Sequence, residues 1–486
     1  MRLALLAISI IALTACSATP DPVLPAPAPV TAVFQPYIFT GPGGVKVEAE
    51  KGTFNVPENR ADPNSRAISI SFVRFPSTSA TPGDPIVYLA GGPGGGGVAT
   101  AMGARFPLFM ALREVADVIA LDQRGTGLSS PTPSCVNVPP YGADTPLTRV
   151  SIVAFYRTSL TRCFDVWKER GVDIDGYTTL ESAHDIEDLR KALGASKLNL
   201  WGISYGSHLG LAVMKYHPAT VNRAVLSGIE GLDQTIKRPA LTDKVFAHVQ
   251  EIIDADPEAK ALYPDLAGMM RRVHAKLNAN PVTVSYTPSG AAAPVSVTFD
   301  GFAVQLLTSA STADPSGFAN VPRMYLALDT GKYEGVAERI NNLRQQFAAF
   351  RGMPEAMDLA SGATAARLAL TNREAQTSLL GDALNFPMPH VMGVRPQIDL
   401  GDKFRAPFRS DTPALFISAT LDGRTYPDEA GEETKGFSNR RRLIVENGGH
   451  NIYEADKRIA DAVVAFFKGE PTPEHIAMAP PKIAKP

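Results

Sequence analysis

Two kinds of hydrophobic pattern divide the chain. Near its start, VKVEAEKGTFNVPEN (Val45–Asn59) and RAISISFVRF (Arg66–Phe75) alternate apolar and polar positions in places, with the turn-rich RADPNS between them. Such alternation predicts half-buried strands joined by a turn. Further on, PIVYLA, ADVIALD and LNLWGI are continuous apolar runs, which suit strands covered on both faces. RAVLSGI, ALFISAT and RRLIVEN supply more strands of this series. Helical patterns lie between them. In SAHDIEDLRKALG, Ile186, Leu189 and Leu193 recur at helical spacing, Ser182 and Asp185 form a start signal, and Gly194 a stop. Strands alternating with helices predict an α/β domain with a mostly parallel central sheet.

The strand series is interrupted. From about Leu232 to Arg405 the chain reads as amphipathic helices with little strand signal, as in TDKVFAHVQEIIDAD and GVAERINNLRQQFAAF. This segment is expected to form a helical cap over the C-terminal edge of the sheet, where ligands bind in such folds. The resulting division is residues 36–231 for the first part of the core, 232–405 for the cap, 406–469 for the second part, and 470–486 for a disordered tail.

Composition leaves that picture intact. With 486 residues, 44% apolar and 20% charged, the chain can bury a large core. A formal net charge of −2 points neither to nucleic acid nor to an electrostatically held membrane surface. The first twenty residues add a location. Arg2 precedes an apolar run, Leu3–Leu13, that is too short to span a bilayer and has the shape of a secretory signal. Leu13-Thr14-Ala15-Cys16 resembles a bacterial lipoprotein signal, with residues 1–15 removed and Cys16 lipidated. An ordinary signal peptide with an incidental cysteine is the alternative. Ser17 resembles the sorting pattern for an outer membrane, so a periplasmic or outer-membrane place is expected, held by the lipid anchor only. Residues 16–35, rich in Pro and Ala over Thr19–Pro29, read as a tether. Cys135 and Cys163 remain, in a disulfide-permissive compartment, and are expected to pair; two separate buried thiols are the alternative. No cysteine or histidine cluster suggests a metal.

Two glycine-bearing stretches carry the candidate chemistry. LAGGPGGGG (Leu89–Gly97) follows a strand and contains G-x-G-x-x-G, with Asp122 ending the next strand. A dinucleotide site is a rival reading, but the acidic residue comes late, and no Lys-Ser/Thr follows to make a P-loop. The other reading is a loop whose backbone N–H groups face a developing oxyanion. LNLWGISYGSHLG then places Ser204 in G-x-S-x-G between a strand and a helix, the form of a nucleophile elbow. Asp422 lies just past ALFISAT and His450 just past RRLIVEN, so Ser, Asp and His fall in order at three strand ends. Asp428 competes with Asp422 but sits at an expected helix start, and His475 lies in the expected tail.

The segments LAGGPGGGG, IALDQRGTGLSS, LWGISYGSHLG, SATLDGRTYP and NGGH together resemble the prolyl iminopeptidase and tripeptidyl aminopeptidase branch of the α/β-hydrolases. The resemblance spans about Gly52 to Gly231 and Ala414 to Phe467, and leaves the cap unmatched. It implies an α/β-hydrolase fold and a cofactor-free serine hydrolase acting on peptides from the amino end, or on small amides. A carboxylesterase of the same fold is the alternative, and a catalytically dead binding module a third reading. By analogy the oxyanion donors are the N–H groups of Gly92 and Tyr205, with Gly91 a substitute. Ala90 departs from the histidine usual before the two glycines. Asp122 to Gly127 is expected to be scaffolding. Acidic side chains hold the substrate amine in prolyl iminopeptidases, which makes Glu230 the substrate-binding candidate, with Asp233 next. The alternative is that Glu230 caps a turn or pairs with a cap arginine.

Overall fold

The computed structural model describes residues 30–288 and 292–486. The expected signal peptide, Cys16 and most of the tether lie outside the described residues. Among the described residues, no helix is long and apolar enough to cross a membrane.

The first strands are β1 (Val33–Thr40), β2 (Lys46–Pro57), β3 (Ala67–Phe75), β4 (Ile86–Leu89), β5 (Val118–Asp122), β6 (Leu198–Ile203) and β7 (Val221–Ser227). After a separate hairpin of β8 (Val282–Tyr286) and β9 (Val295–Phe299) come β10 (Ala414–Ala419), β11 (Arg440–Glu446) and β12 (His475–Ala477). Ten strands form one sheet in the order β1-β2-β3-β5-β4-β6-β7-β10-β11-β12. The alternating strands β1, β2 and β3 pair antiparallel, and from β5 to β12 every pairing is parallel. That split follows the pattern, because β4, β5, β6 and β10 are buried along their whole length.

Helices cover both faces. α1 (Gly97–Ala101), α2 (Phe106–Leu112), α3 (Arg149–Glu169), α4 (Thr179–Ala192) and α5 (Tyr205–Tyr216) belong to the first half. Successive β6 residues serve opposite cores. Leu200 packs with Leu160, Ile186 and Leu209 of α3, α4 and α5, and Trp201 with Phe109 of α2 on the other face. α4 starts earlier than the Ser182 signal predicts, because Thr178 caps it by accepting the N–H of Glu181 at 3.2 Å.

The inserted segment contains α6 (Pro239–Ala255), α7 (Pro257–Leu262), α8 (Leu266–Ala279), α9 (Gly301–Ala310), α10 (Pro315–Asp329), α11 (Glu334–Phe347), α12 (Met353–Ser361), α13 (Ala365–Ala375) and α14 (Gly401–Arg405). α15 (Pro427–Glu433) and α16 (Lys457–Lys468) return to the sheet. Two boundaries and one hairpin differ from the sequence reading. Tyr141, Leu147 and Ile152, assigned to the first part of the core, pack into the cap, where the Leu147 N–H also bonds Thr298 O at 2.7 Å. α12, inside the cap by number, packs instead in the core beneath the sheet through Met353, Ala356, Met357 and Ala360. The hairpin β8–β9 was hidden because a short pair within a helical segment gives little periodicity.

The two terminal segments also depart from expectation. Val33, Phe34 and Gln35, placed in the tether, already pair with β2. The expected disordered tail is ordered. β12 adds to β11 in parallel, Ile483 is buried in the cap core, and Ala484 exchanges hydrogen bonds with Ala319 O (2.9 Å) and Tyr263 Oη (2.8 Å). The tail therefore straps the edge of the sheet to α7 and α10. Its larger apolar residues, Ile476, Met478 and Ile483, each find a partner, which polar composition alone conceals.

DQRGTG is scaffolding in a specific sense. The Asp122 carboxylate accepts N–H groups of Val98 (3.0 Å) and Leu128 (2.8 Å). Arg124 is buried and forms paired 2.7 Å bonds with both Asp185 oxygens and another to Glu58 O at 2.6 Å. A buried guanidinium is tolerated only with such partners.

Cys135 and Cys163 are bridged, tying the loop after DQRGTG to α3 across 28 residues. Intact-mass analysis after alkylation without reductant should find neither cysteine labelled; two labelled thiols would overturn the bridge. Replacing both by Ser should cost about 3–4 kcal/mol in the chain-entropy account, read by urea denaturation. Deleting residues 479–486 should cost about 2–4 kcal/mol, from the burial of Ile483 and the two bonds of Ala484. An unchanged unfolding midpoint would mean that the tail only rests on the surface.

Candidate active site

Ser204 sits between β6 and α5 with φ 57° and ψ −127°, a strained conformation for a residue with a side chain. The flanking glycine explains how it fits. A Cβ at position 206 would stand 2.0 Å from Leu89 O, so only glycine lets α5 start directly against β4. The turn is pinned by Ser204 N–H to Ser227 O at 3.0 Å. Tyr205 opens α5, and its N–H is one of those left without an acceptor inside the helix.

Asp422 and His450 are brought together as the order of residues predicts. Their side chains hydrogen-bond at 2.8 Å through Nδ1 and Oδ2. Oδ1 of the same carboxylate accepts the N–H groups of Arg424 (2.7 Å) and Thr425 (2.9 Å), and the Thr425 hydroxyl donates to Oδ2 at 2.6 Å. Burial alone would raise this carboxyl's pKa. The His450 ring and the hydrogen bonds outweigh it and hold Asp422 below the ordinary carboxylate value. Nδ1 being engaged, Nε2 is the ring nitrogen left without a partner among the described residues. The ring lies against the backbone of Gly228, where an added Cβ would be 3.1 Å from its Cε1, and Gly228 directly follows the residue that pins Ser204. The elbow and the imidazole thus share one short piece of β7. The cap braces this loop, through His450 N–H to Ala313 O (2.7 Å) and Asn451 to Asp314.

Asp428 and His475 take no part in this pair. Asp428 pairs with Lys244 at 2.8 Å with both side chains about two-thirds exposed (66% and 69%). His475 is exposed on β12.

The glycine loop meets the elbow. A Cβ at Gly91 would be 2.8 Å from Ile203 O and 3.1 Å from Ser204 Cβ, so the loop's backbone lies directly on the candidate nucleophile. Gly92 and Pro93 also line a cavity of about 240 Å³ with Tyr156, Glu355, Asp358 and Met388.

Glu230, just past β7, is buried, and its carboxylate is paired with Lys237 at 3.3 Å, a cap lysine rather than an arginine. Asp233 has a structural task, accepting the N–H and hydroxyl of Thr364 at 2.7 Å each. The carboxylates that line the cavity are Glu355 and Asp358, which the sequence reading missed. Burial, reinforced by the charge of Glu230, pushes Asp358 up to about 7, against the opposing pull of Lys237. Burial also raises Glu355, whose carboxylate accepts the N–H of Gly352 at 2.7 Å. One signal was available. In MPEAMDLAS two carboxylates stand three residues apart on an otherwise apolar helix.

Several known proteins share parts of this chain. Serine protease Hip1 of Mycobacterium tuberculosis is 29% identical over 199 residues, 38% of this chain and 36% of that protein. Tripeptidyl aminopeptidase of Streptomyces coelicolor is 29% identical over 200 residues, 37% of this chain and 34% of that protein. Proline iminopeptidase of Neisseria gonorrhoeae is 29% identical over 147 residues, 30% of this chain and 33% of that protein. The chain therefore aligns with about a third of the length of each relative. The family described as alpha/beta hydrolase fold matches residues 84–456, a span that holds the glycine loop, the elbow, Asp422 and His450, and the chain belongs to that family.

Proposed function

We propose that this protein is an exported serine hydrolase that removes residues from the amino end of peptides, with Ser204, His450 and Asp422 as its catalytic triad. The observation that carries the hydrolase reading is the 2.8 Å Asp422–His450 bond beside the strained Ser204 elbow. In this reading Ser204 Oγ attacks the carbonyl carbon while His450 Nε2 takes its proton. His450 then returns the proton to the leaving amine, and water repeats the sequence on the acyl-enzyme. Asp422 fixes the tautomer and stabilises the imidazolium, which its low pKa suits. N–H groups of the glycine loop and of Tyr205 receive the oxyanion.

The amino-end preference is supported by the cavity next to Gly92. Its carboxylates suit an ammonium group, and Tyr156, Leu160, Met388 and Val391 suit an apolar side chain. At about 240 Å³ it holds roughly eight water volumes of ~30 Å³, the bulk of one apolar residue with its amine. Asp358 takes the amine-binding role assigned to Glu230 from sequence, with the Glu230–Lys237 pair beside it. The amino-terminal sequence supports an exported lipoprotein anchored at Cys16.

A fluorophosphonate probe should label wild type at Ser204 and leave Ser204→Ala unlabelled; labelling that survives the substitution sinks the assignment. Asp422→Asn should lower kcat on the order of 10⁴-fold through the wrong tautomer, and Asp428→Asn should leave it unchanged. Asp358 is charged above about pH 7 and neutral below it. KM for free-amine substrates should therefore fall as pH rises from 6 to 7.5, before the substrate amine itself deprotonates near ~8. Asp358→Asn should raise KM for these substrates, flatten that pH dependence and spare N-acetylated amides. Equal losses on both substrate classes would make Asp358 a structural residue.

A further inference from the structure

We propose that Gln123 is a positioning residue for the oxyanion loop, fixing the direction of the Gly91 and Gly92 N–H groups through the carbonyl of Ala90. The inference rests on the hydrolase reading above. The side-chain amide of Gln123 lies with Nε2 3.0 Å from Ala90 O. A carbonyl oxygen only accepts, so the NH2 end of the amide is the end that faces it. In a trans peptide the N–H points opposite to the C=O. Holding Ala90 O therefore sets where the Gly91 N–H points, on the side away from Gln123. The next peptide is held in the same manner, because Gly91 O accepts the N–H of Gly95 at 3.0 Å. That bond sets the direction of the Gly92 N–H. Two successive carbonyls are thus tied down behind the loop, and the part between them lies on Ser204 and Ile203.

The loop needs an external brace. Six of the seven residues from Gly91 to Gly97 are glycine, which gives the backbone little conformational preference of its own. Ala90 supplies only a methyl group. Asp122 secures the far end through Val98 N–H at 3.0 Å, and Gln123 secures the near end, so adjacent residues of one segment clamp both.

Glutamine at position 123 also gains little for stability. It is buried, and its Oε1 has no hydrogen-bond partner among the described residues. A buried acceptor without a partner destabilises, and an apolar side chain of the same length would exchange that cost for the loss of the donor to the Ala90 carbonyl, leaving stability about even. The donor function is what distinguishes glutamine here.

The test uses the full chain with Gln123→Met, which keeps the length and removes the donor, and Gln123→Glu, which keeps a polar group but turns a carboxylate toward the carbonyl. Four quantities separate positioning from folding: the fluorophosphonate rate at Ser204, kcat and KM on an amide or ester, affinity for a boronic acid forming a tetrahedral adduct, and affinity for a reaction product. In Gln123→Met the labelling rate, kcat and boronate affinity should fall together by about ten- to a hundredfold. KM and product affinity should stay within about twofold, with no loss of thermal stability. Gln123→Glu should lose at least as much and covers the case in which the methionine variant fails to fold. Unchanged labelling and kcat would overturn the proposal. So would losses shared equally by product binding and melting temperature. Wild type that is never labelled would sink the hydrolase reading itself, whereas labelled wild type with an unaffected methionine variant sinks only the role of Gln123.

Discussion

The floor of the site is a contact between two backbones. β4 and β6 are neighbours in the parallel sheet, and past their ends the chain of one turns into the glycine loop and that of the other into the Ser204 elbow. The two turns touch at two places where a side chain would collide, Gly206 against Leu89 O and Gly91 against Ile203 O. Everything else is placed relative to this contact. It requires small residues on both sides, a strained serine between them, and external hydrogen bonds to hold a loop whose one side chain is that of Pro93. DQRGTG supplies those bonds from β5, the strand on the other side of β4.

Holding that segment still has its own electrostatic cost. Arg124 of the same segment is buried, and its charge is balanced by Asp185, with Glu181 shared between Arg124 and Arg60. Arg60 comes from the turn between β2 and β3, so the antiparallel edge of the sheet is tied to α4 by the same group of charges. Such a group adds little net stability compared with an apolar core, but breaking it leaves a charge buried alone. It acts to keep one geometry rather than to deepen the fold.

What the sequence made legible follows from this. Residues constrained by local backbone geometry announce themselves in order along the chain. The glycines of the elbow, the carboxylate just past β10 and the histidine just past β11 each occupy a turn that continuous apolar strands delimit. The cysteines were legible because the secretory form of the first residues led to the expectation of a disulfide-permissive compartment, in which two cysteines read as a pair. Glu355 and Asp358 were not legible in the same manner, since they become neighbours of Gly92 only through the packing of α12, more than 260 residues further along the chain. Glu230 shows the same limit from the other side. Its position after β7 places it at the sheet edge near the elbow, but its partner Lys237 depends on how the chain turns into the cap. The tail failed for a different reason, because a Pro-rich, polar composition describes what a segment cannot bury by itself and says nothing of a groove that receives one isoleucine.

The cap is consequently a poor candidate for a hinged lid that moves as one piece. α12 is part of the core beneath the sheet, and its Met357 and Ser361 meet Tyr205 and Thr179 next to the elbow. The His450 loop is bonded to the start of α10, and the tail joins β11 to α7 and α10 from outside. Moving the whole cap would break these contacts and disturb both the elbow helix and the imidazole at once. Rearrangements that admit a substrate are better confined to the rim of the 240 Å³ cavity, where exposed Arg351 and half-buried Pro354 stand beside Gly94. There the glycine loop meets α12 through side chains that can yield, while the carbonyls of Ala90 and Gly91 remain tied behind it.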